Sequence, residues 1–197
     1  MTSKEITEVL RCKYINSRRE RYACFPELRI GTGYNLPGEG KGATEQRIDF
    51  FVFSLFPCDH YAKIAFEIKV NRGDFLKEMK NPLKRRQALI FSNQFYFAAP
   101  VGLIKPEEIP IECGLMEIDV KENGLRKWGV AKVKVPAPWR EEHNPNWGFI
   151  ASITRRVARE EKLQYFGKVP ICPNCYKPLE EDKEHWNCLE CEISISK

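Results

Sequence analysis

No stretch of this 197-residue sequence is apolar enough, for long enough, to cross a bilayer as a helix. The longest run without charge, Ala88 to Ile104, is interrupted by Ser92, Asn93, Gln94, Pro100 and Gly102, whereas a spanning helix needs ~20 continuous apolar residues. The first 30 residues are charged throughout and lack an apolar core, so they do not read as a secretory signal. Internal repeats and low-complexity segments are missing too. A complete phosphate-loop motif is also lacking. In the glycine-rich segment Gly31–Gly42, Gly33 and Gly38 have the required spacing, but Glu39 stands where that motif needs Lys. The segment reads as a flexible loop. A soluble, cytoplasmic protein without membrane partners is the expectation, and a composition 43% hydrophobic and 30% charged is that of a globular chain.

Charge is unevenly spread. Residues 1–167 hold 28 Lys/Arg against 21 Asp/Glu, while residues 168–197 hold 4 against 6. The basic body suits a phosphate-rich partner. The acidic tail carries Cys172, Cys175, Cys188 and Cys191 as C-x2-C-x12-C-x2-C. Two such pairs supply four thiolates, which satisfy tetrahedral Zn²⁺ with no position left open. The sequence therefore predicts a main domain over 1–167 and a structural zinc ribbon over 168–197, the metal stabilising a segment too small to build its own core. His185 is not needed as a ligand. The acidity of the ribbon argues against a nonspecific phosphate grip and leaves it a possible protein-partner surface. Cys12, Cys24, Cys58 and Cys113 are expected to be buried thiols that act as small hydrophobes in a reducing compartment.

Along the chain, Thr2 and Glu5 form a capping box before Ile6, Val9, Leu10 and Tyr14, so a helix is predicted over Ser3–Ser17. Strands are predicted at Cys24–Ile30, Gln46–Phe56, Ala62–Asn71, Gln94–Ala99, Gly114–Val120 and Trp128–Val135, the last two joined by a turn at Asn123-Gly124. Asp74 is placed as a helix cap, and Asn81-Pro82 as the break between two helices. Ile150–Leu163 reads as an amphipathic helix with Ile150, Ile153 and Val157 inward. The resulting fold class is α/β, a mixed central sheet flanked by helices.

The strand AKIAFEIKVN is the informative one. Alternation places Ala65, Glu67 and Lys69 on one face, and Ile64, Phe66, Ile68 and Val70 on the other. An inward Glu and Lys are costly unless paired or bound to an ion. Four further E-x-K strings begin at Glu39, Glu78, Glu160 and Glu181, and read as solvated pairs in loops or charged helices. Asp49 lies in the neighbouring strand. Asp49 and Glu67 would hold Mg²⁺ (or Mn²⁺), with the carbonyl of Ile68 as a further ligand. Lys69 would position a water and offset charge developing on a phosphate. Arg72, Lys77, Lys80, Lys84, Arg85 and Arg86 would then meet a nucleic-acid backbone. The alternative is a buried Asp49–Lys69 or Glu67–Lys69 ion pair without chemistry. Glu27 is a candidate additional acid, with Glu8 as its rival, and Gln87 a candidate neighbour of the site.

Strand, turn and strand, with Asp on the first and E-x-K on the second, resembles the PD-(D/E)XK nuclease superfamily, although Ile48 stands where Pro is common. The segments EIKVNRGDFLKEMKNP, SNQFYFAAPVGLI and IPIECGLMEID look like MmcB-type DNA-repair proteins and related phage and bacterial proteins. The match covers roughly Pro26 to Asp119. It implies a restriction-endonuclease-like domain, with Asp49, Glu67 and Lys69 in the metal-site positions. The implied activity is metal-dependent DNA hydrolysis in repair, recombination or phage DNA processing, with RNA as a further possible substrate and a homodimer as a common assembly. A noncatalytic nucleic-acid-binding or adaptor module on the same fold is the alternative.

Overall fold

The first helix begins at its capping box. The Thr2 backbone N–H donates to Glu5 Oε2 (2.7 Å) and the Glu5 N–H to Thr2 Oγ1 (3.3 Å), satisfying N–H groups that the first turn leaves unpaired. The helix, α1, spans Ser3–Ile15 and buries Ile6, Val9, Leu10 and Tyr14 on one stripe. The computed structural model describes residues 1–15, 21–30, 46–123, 126–141, 149–151, 153–158, 179–181 and 184–196. Two compact units result, Met1–Ser152 and Ile153–Lys197.

The first unit is built on six strands that neighbour one another in chain order: β1 (Tyr22–Ile30), β2 (Gln46–Ser54), β3 (Lys63–Ile68), β4 (Gln94–Pro100), β5 (Gly114–Asn123) and β6 (Arg126–Val135). β1–β2, β2–β3 and β5–β6 pair antiparallel, while β3–β4 and β4–β5 are parallel. A parallel pair requires a crossover of a dozen or more residues. Between β3 and β4 this is supplied by α2 (Arg72–Met79), a 3₁₀ turn (Pro82–Arg85) and α3 (Arg86–Ile90). The predicted mixed sheet flanked by helices is thus present. The glycine-rich segment 31–42 and most of the turn after Asn123 lie outside the described residues.

One face of the sheet is apolar. Phe50, Val52, Phe66, Ile68, Tyr96, Ala98, Met116 and Ile118 pack together beneath the buried stripe of α1. On the opposite face Phe51, Ala65, Phe97 and Leu115 are fully buried, and Phe75 of α2 meets Phe97 edge-on, 5.4 Å between centroids. Burying each of the large apolar side chains among them contributes roughly 1.5–3 kcal/mol. This second face also carries the charges, because Asp49, Glu67 and Lys69 fall on its odd-numbered register.

Three local expectations are corrected. Of the four scattered cysteines Cys113 is buried as expected, Cys24 is half-buried, and Cys12 and Cys58 are exposed, so these two do not act as core hydrophobes. The α2 cap is Asn71, whose Oδ1 accepts from the Asp74 N–H at 2.8 Å, and Asp74 Oδ2 accepts in turn from Asn71 Nδ2 at 2.6 Å. Asn71 wins because it has the extended backbone that a cap requires. Residues 149–151 and 153–158 are helical, but Val157 is exposed. Residues 159–163 lie outside the described set.

The second unit contains a three-stranded antiparallel sheet, β7 (Glu180–Glu181), β8 (His185–Cys188) and β9 (Ile193–Ser196). Cys188 ends β8 and is buried, and Cys191 is half-buried in the turn to β9. That turn is tight enough to place Glu192 in the left-handed region, φ 53°. Cys172 and Cys175 lie outside the described residues. No helix among the described residues is long and apolar enough to cross a membrane.

Candidate active site

Three acids line up across adjacent strands. Asp49 is one step beyond the paired Phe50 and Phe66, which brings it opposite Glu67. Glu27 stands opposite Asp49, between the paired Pro26–Phe50 and Leu28–Ile48. In-register neighbours in a sheet share a face. At Glu27, however, the backbone turns left-handed, φ 52°. Its exposed side chain lies 3.4 Å from Arg47. Glu27 therefore sits at the rim, near enough to raise the Asp49 proton affinity through its charge.

Asp49, Glu67, Ile68, Lys69 and Val70 line a cleft of about 450 Å³ together with Asp74, Lys77, Glu78, Asn81 and Lys84. Asp49 Oδ2 accepts from the Ile68 backbone N–H at 2.8 Å. This fixes the carboxylate against the end of β3. Lys69 follows the strand, its own N–H donating to the Ala98 carbonyl at 2.9 Å. Its ammonium donates to Glu67 Oε1 at 2.8 Å and lies 2.6 Å from Glu78 Oε2. Lys84 reaches the same two oxygens, at 2.8 and 3.1 Å. Two carboxylates and two ammoniums thus form a closed ring.

The site separates its two strand carboxyls. Burial first, and the charge of Glu67 second, push Asp49 up to about 6, against the opposing pull of the Ile68 N–H and Lys69. Burial also raises Glu67, but Lys69 and Lys84 outweigh it and hold that carboxyl below its ordinary range. Asp49 therefore holds its proton more tightly than an ordinary carboxyl, and Glu67 less tightly.

Glu78 was missed by sequence reasoning, which placed its E-x-K string on a solvated helix face. It is only 3% exposed. The helical spacing Phe75–Glu78 held the signal, since i and i+3 share a side and Phe75 is core. Its Oε1 is buried and has no hydrogen-bond partner among the described residues.

The basic residues divide. Lys77 and Lys84 line the cleft, and Lys80 and Arg86 are exposed. Arg72 is tied up, both guanidinium arms donating to Glu108 and one to the Leu103 carbonyl at 3.2 Å. Arg85 is buried and donates to Glu112 at 2.9 Å. Neither is an open phosphate contact, because each already has an acidic partner on the following crossover. Gln87, in α3, is half-buried and does not line the cleft.

Among the described residues, no group of three or more His, Cys, Asp and Glu side chains is arranged to hold an ion. The donor chemistry of the cleft nonetheless fits a hard cation. Asp49 and Glu67 offer carboxylate oxygens and Ile68 a backbone carbonyl. Among the lining residues, Asp49, Glu67, Asp74 and Glu78 exceed Lys69, Lys77 and Lys84 by one charge. The orphaned Glu78 oxygen is a further unsatisfied acceptor.

No known family's model matches the chain, and no curated protein does. One solved structure, the SPO1766 protein of unknown function from Silicibacter pomeroyi, is similar in fold. It aligns at a TM-score of 0.50 and 15% identity over 84% of this chain and 90% of that one.

Proposed function

We propose that the protein is a Mg²⁺- or Mn²⁺-dependent nuclease that hydrolyses phosphodiester bonds in DNA, on a restriction-endonuclease-like fold of PD-(D/E)XK type. The observation that carries this reading is the meeting of Asp49, Glu67 and Lys69, from adjacent strands, in one cleft with an excess of acid. When bound, the metal supplies Lewis acidity and a more acidic water. Asp49, Glu67 and the Ile68 carbonyl would hold it. Lys69, clamped between Glu67 and Glu78, orients the attacking water and places positive charge where the phosphate becomes more negative. Lys77 and Lys84, at the rim, meet the substrate backbone.

Repair, recombination and phage DNA processing are the settings that fit such an activity, in the cytoplasm. The zinc ribbon is proposed on Cys172, Cys175, Cys188 and Cys191, as a structural Zn²⁺ site and a surface for a protein partner or a second copy.

The test is cleavage of labelled single-stranded, duplex and branched DNA, and of RNA, with Mg²⁺ or Mn²⁺. Asp49→Ala should lose at least about 100-fold, the most that even outer-shell changes at metal sites cost. Cleavage that persists in Asp49→Ala sinks the site. The noncatalytic nucleic-acid-binding or adaptor reading is favoured by one observation: Glu67 is bridged by two ammoniums, Lys69 and Lys84. Tight DNA binding without cleavage, unchanged in Asp49→Ala, would establish it.

A further inference from the structure

The two lysines of the ring make the same bonds but differ in how they are held. Lys69 is fixed at the end of β3 by its backbone bond to Ala98, and its side chain is 6% exposed. Lys84 comes from the short 3₁₀ turn that follows Pro82, and its side chain is 54% exposed. An exposed ammonium exchanges its partner for water at little cost, so its pairing is the weaker of the two. Lys84 can leave the ring, and Lys69 cannot leave without abandoning buried charge.

We infer that Lys84 is a tethered stand-in cation, which occupies the Glu67–Glu78 position in the metal-free protein and withdraws when a divalent ion enters the cleft. The inference rests on the metal-dependent reading above. Charge balance supports it. With four acids and three lysines lining the cleft, a divalent ion that entered beside Lys84 would leave one positive charge in excess. Entry with departure of Lys84 brings the lining to neutrality. Departure also frees Glu67 Oε1, which otherwise has two ammoniums at 2.8 Å. The released ammonium remains at the mouth of the cleft, where a substrate phosphate would replace its carboxylate partners.

The experiment is a Mn²⁺ titration of metal-stripped full-length protein, following free Mn²⁺ by electron paramagnetic resonance. Wild type is compared with Lys84→Met, Lys84→Gln and Lys84→Arg, each checked for an intact thermal transition. Both neutral variants should bind Mn²⁺ about five- to tenfold more tightly, from removal of one competing charge a few ångströms away. Lys84→Arg, which keeps the charge, should stay near wild type. Binding gained only in the neutral variants is the extreme form of the same result. Equal or weaker affinity in both neutral variants, with wild type binding, overturns the stand-in role and leaves the nuclease reading intact. Absence of binding in every protein at millimolar Mn²⁺ overturns both.

Discussion

The two faces of the central sheet are made by the same strands, yet they solve different problems. Beneath α1, Phe50, Phe66, Ile68 and Tyr96 remove apolar surface from water with no charge among them. On the other face the same β2 and β3 present Asp49 and Glu67, Lys69 follows directly after β3, and α2 adds Glu78. The apolar face is held by non-directional burial, which tolerates repacking. The charged face is held by a ring of four ion-pair contacts whose buried members, Glu67, Lys69 and Glu78, cannot be lost without leaving buried charge uncompensated. A sheet can therefore keep its shape through one face while the other gathers buried, paired charge.

The largest way to break this contrast is Lys69→Met. It leaves Glu67 and Glu78 buried with one cation fewer, and should cost about 3–5 kcal/mol, read as a fall in the urea midpoint at neutral pH. Leu10→Ala strikes the other face. It should destabilise by about 2–5 kcal/mol through transfer and cavity terms, with Mn²⁺ affinity in the remaining folded protein unchanged. Were Leu10→Ala to alter metal affinity as strongly as Lys69→Met, the two faces would not be independent. Lys84→Met should cost under about 1 kcal/mol, since its partner is shared with Lys69 and its side chain is half open to water. Comparing Lys69→Met with Lys84→Met by urea unfolding sharpens the difference between the fixed and the displaceable lysine.

A further effect is one of pH. Burial and Glu67 raise Asp49 from 3.8 to about 6 in the folded protein. A raised carboxyl binds its proton more tightly when folded. Its stabilising contribution is full below the unfolded value and fades as pH rises through about 6. In metal-free protein, the stability of wild type minus that of Asp49→Asn should fall between pH 4 and pH 6.5. A flat difference would show that Asp49 is not perturbed.

Much of the fold was legible because period-two and helical patterns are local. The capping box at Thr2 and Glu5, the alternation along Ala62–Asn71 and the break at Asn81-Pro82 each name an element from a few adjacent residues. The candidate site was legible in part for the same reason, since alternation alone placed Glu67 and Lys69 on one face. Where reading failed, partners were distant in sequence. Arg72 and Arg85 looked like surface cations until Glu108 and Glu112 were brought beside them. Glu78 looked solvated until the sheet covered it.

The sequence by itself determined that a core strand carries an acid and an amine on one side, and that a carboxylate strand precedes it. These follow from side-chain alternation, a property of neighbouring residues in any extended chain. Only the tertiary structure decided which charges meet. The Glu67–Lys69–Glu78–Lys84 ring depends on how α2 and the turn after Pro82 pack over β3. Electrostatic energy depends on separation and burial, and neither is written in the order of the residues.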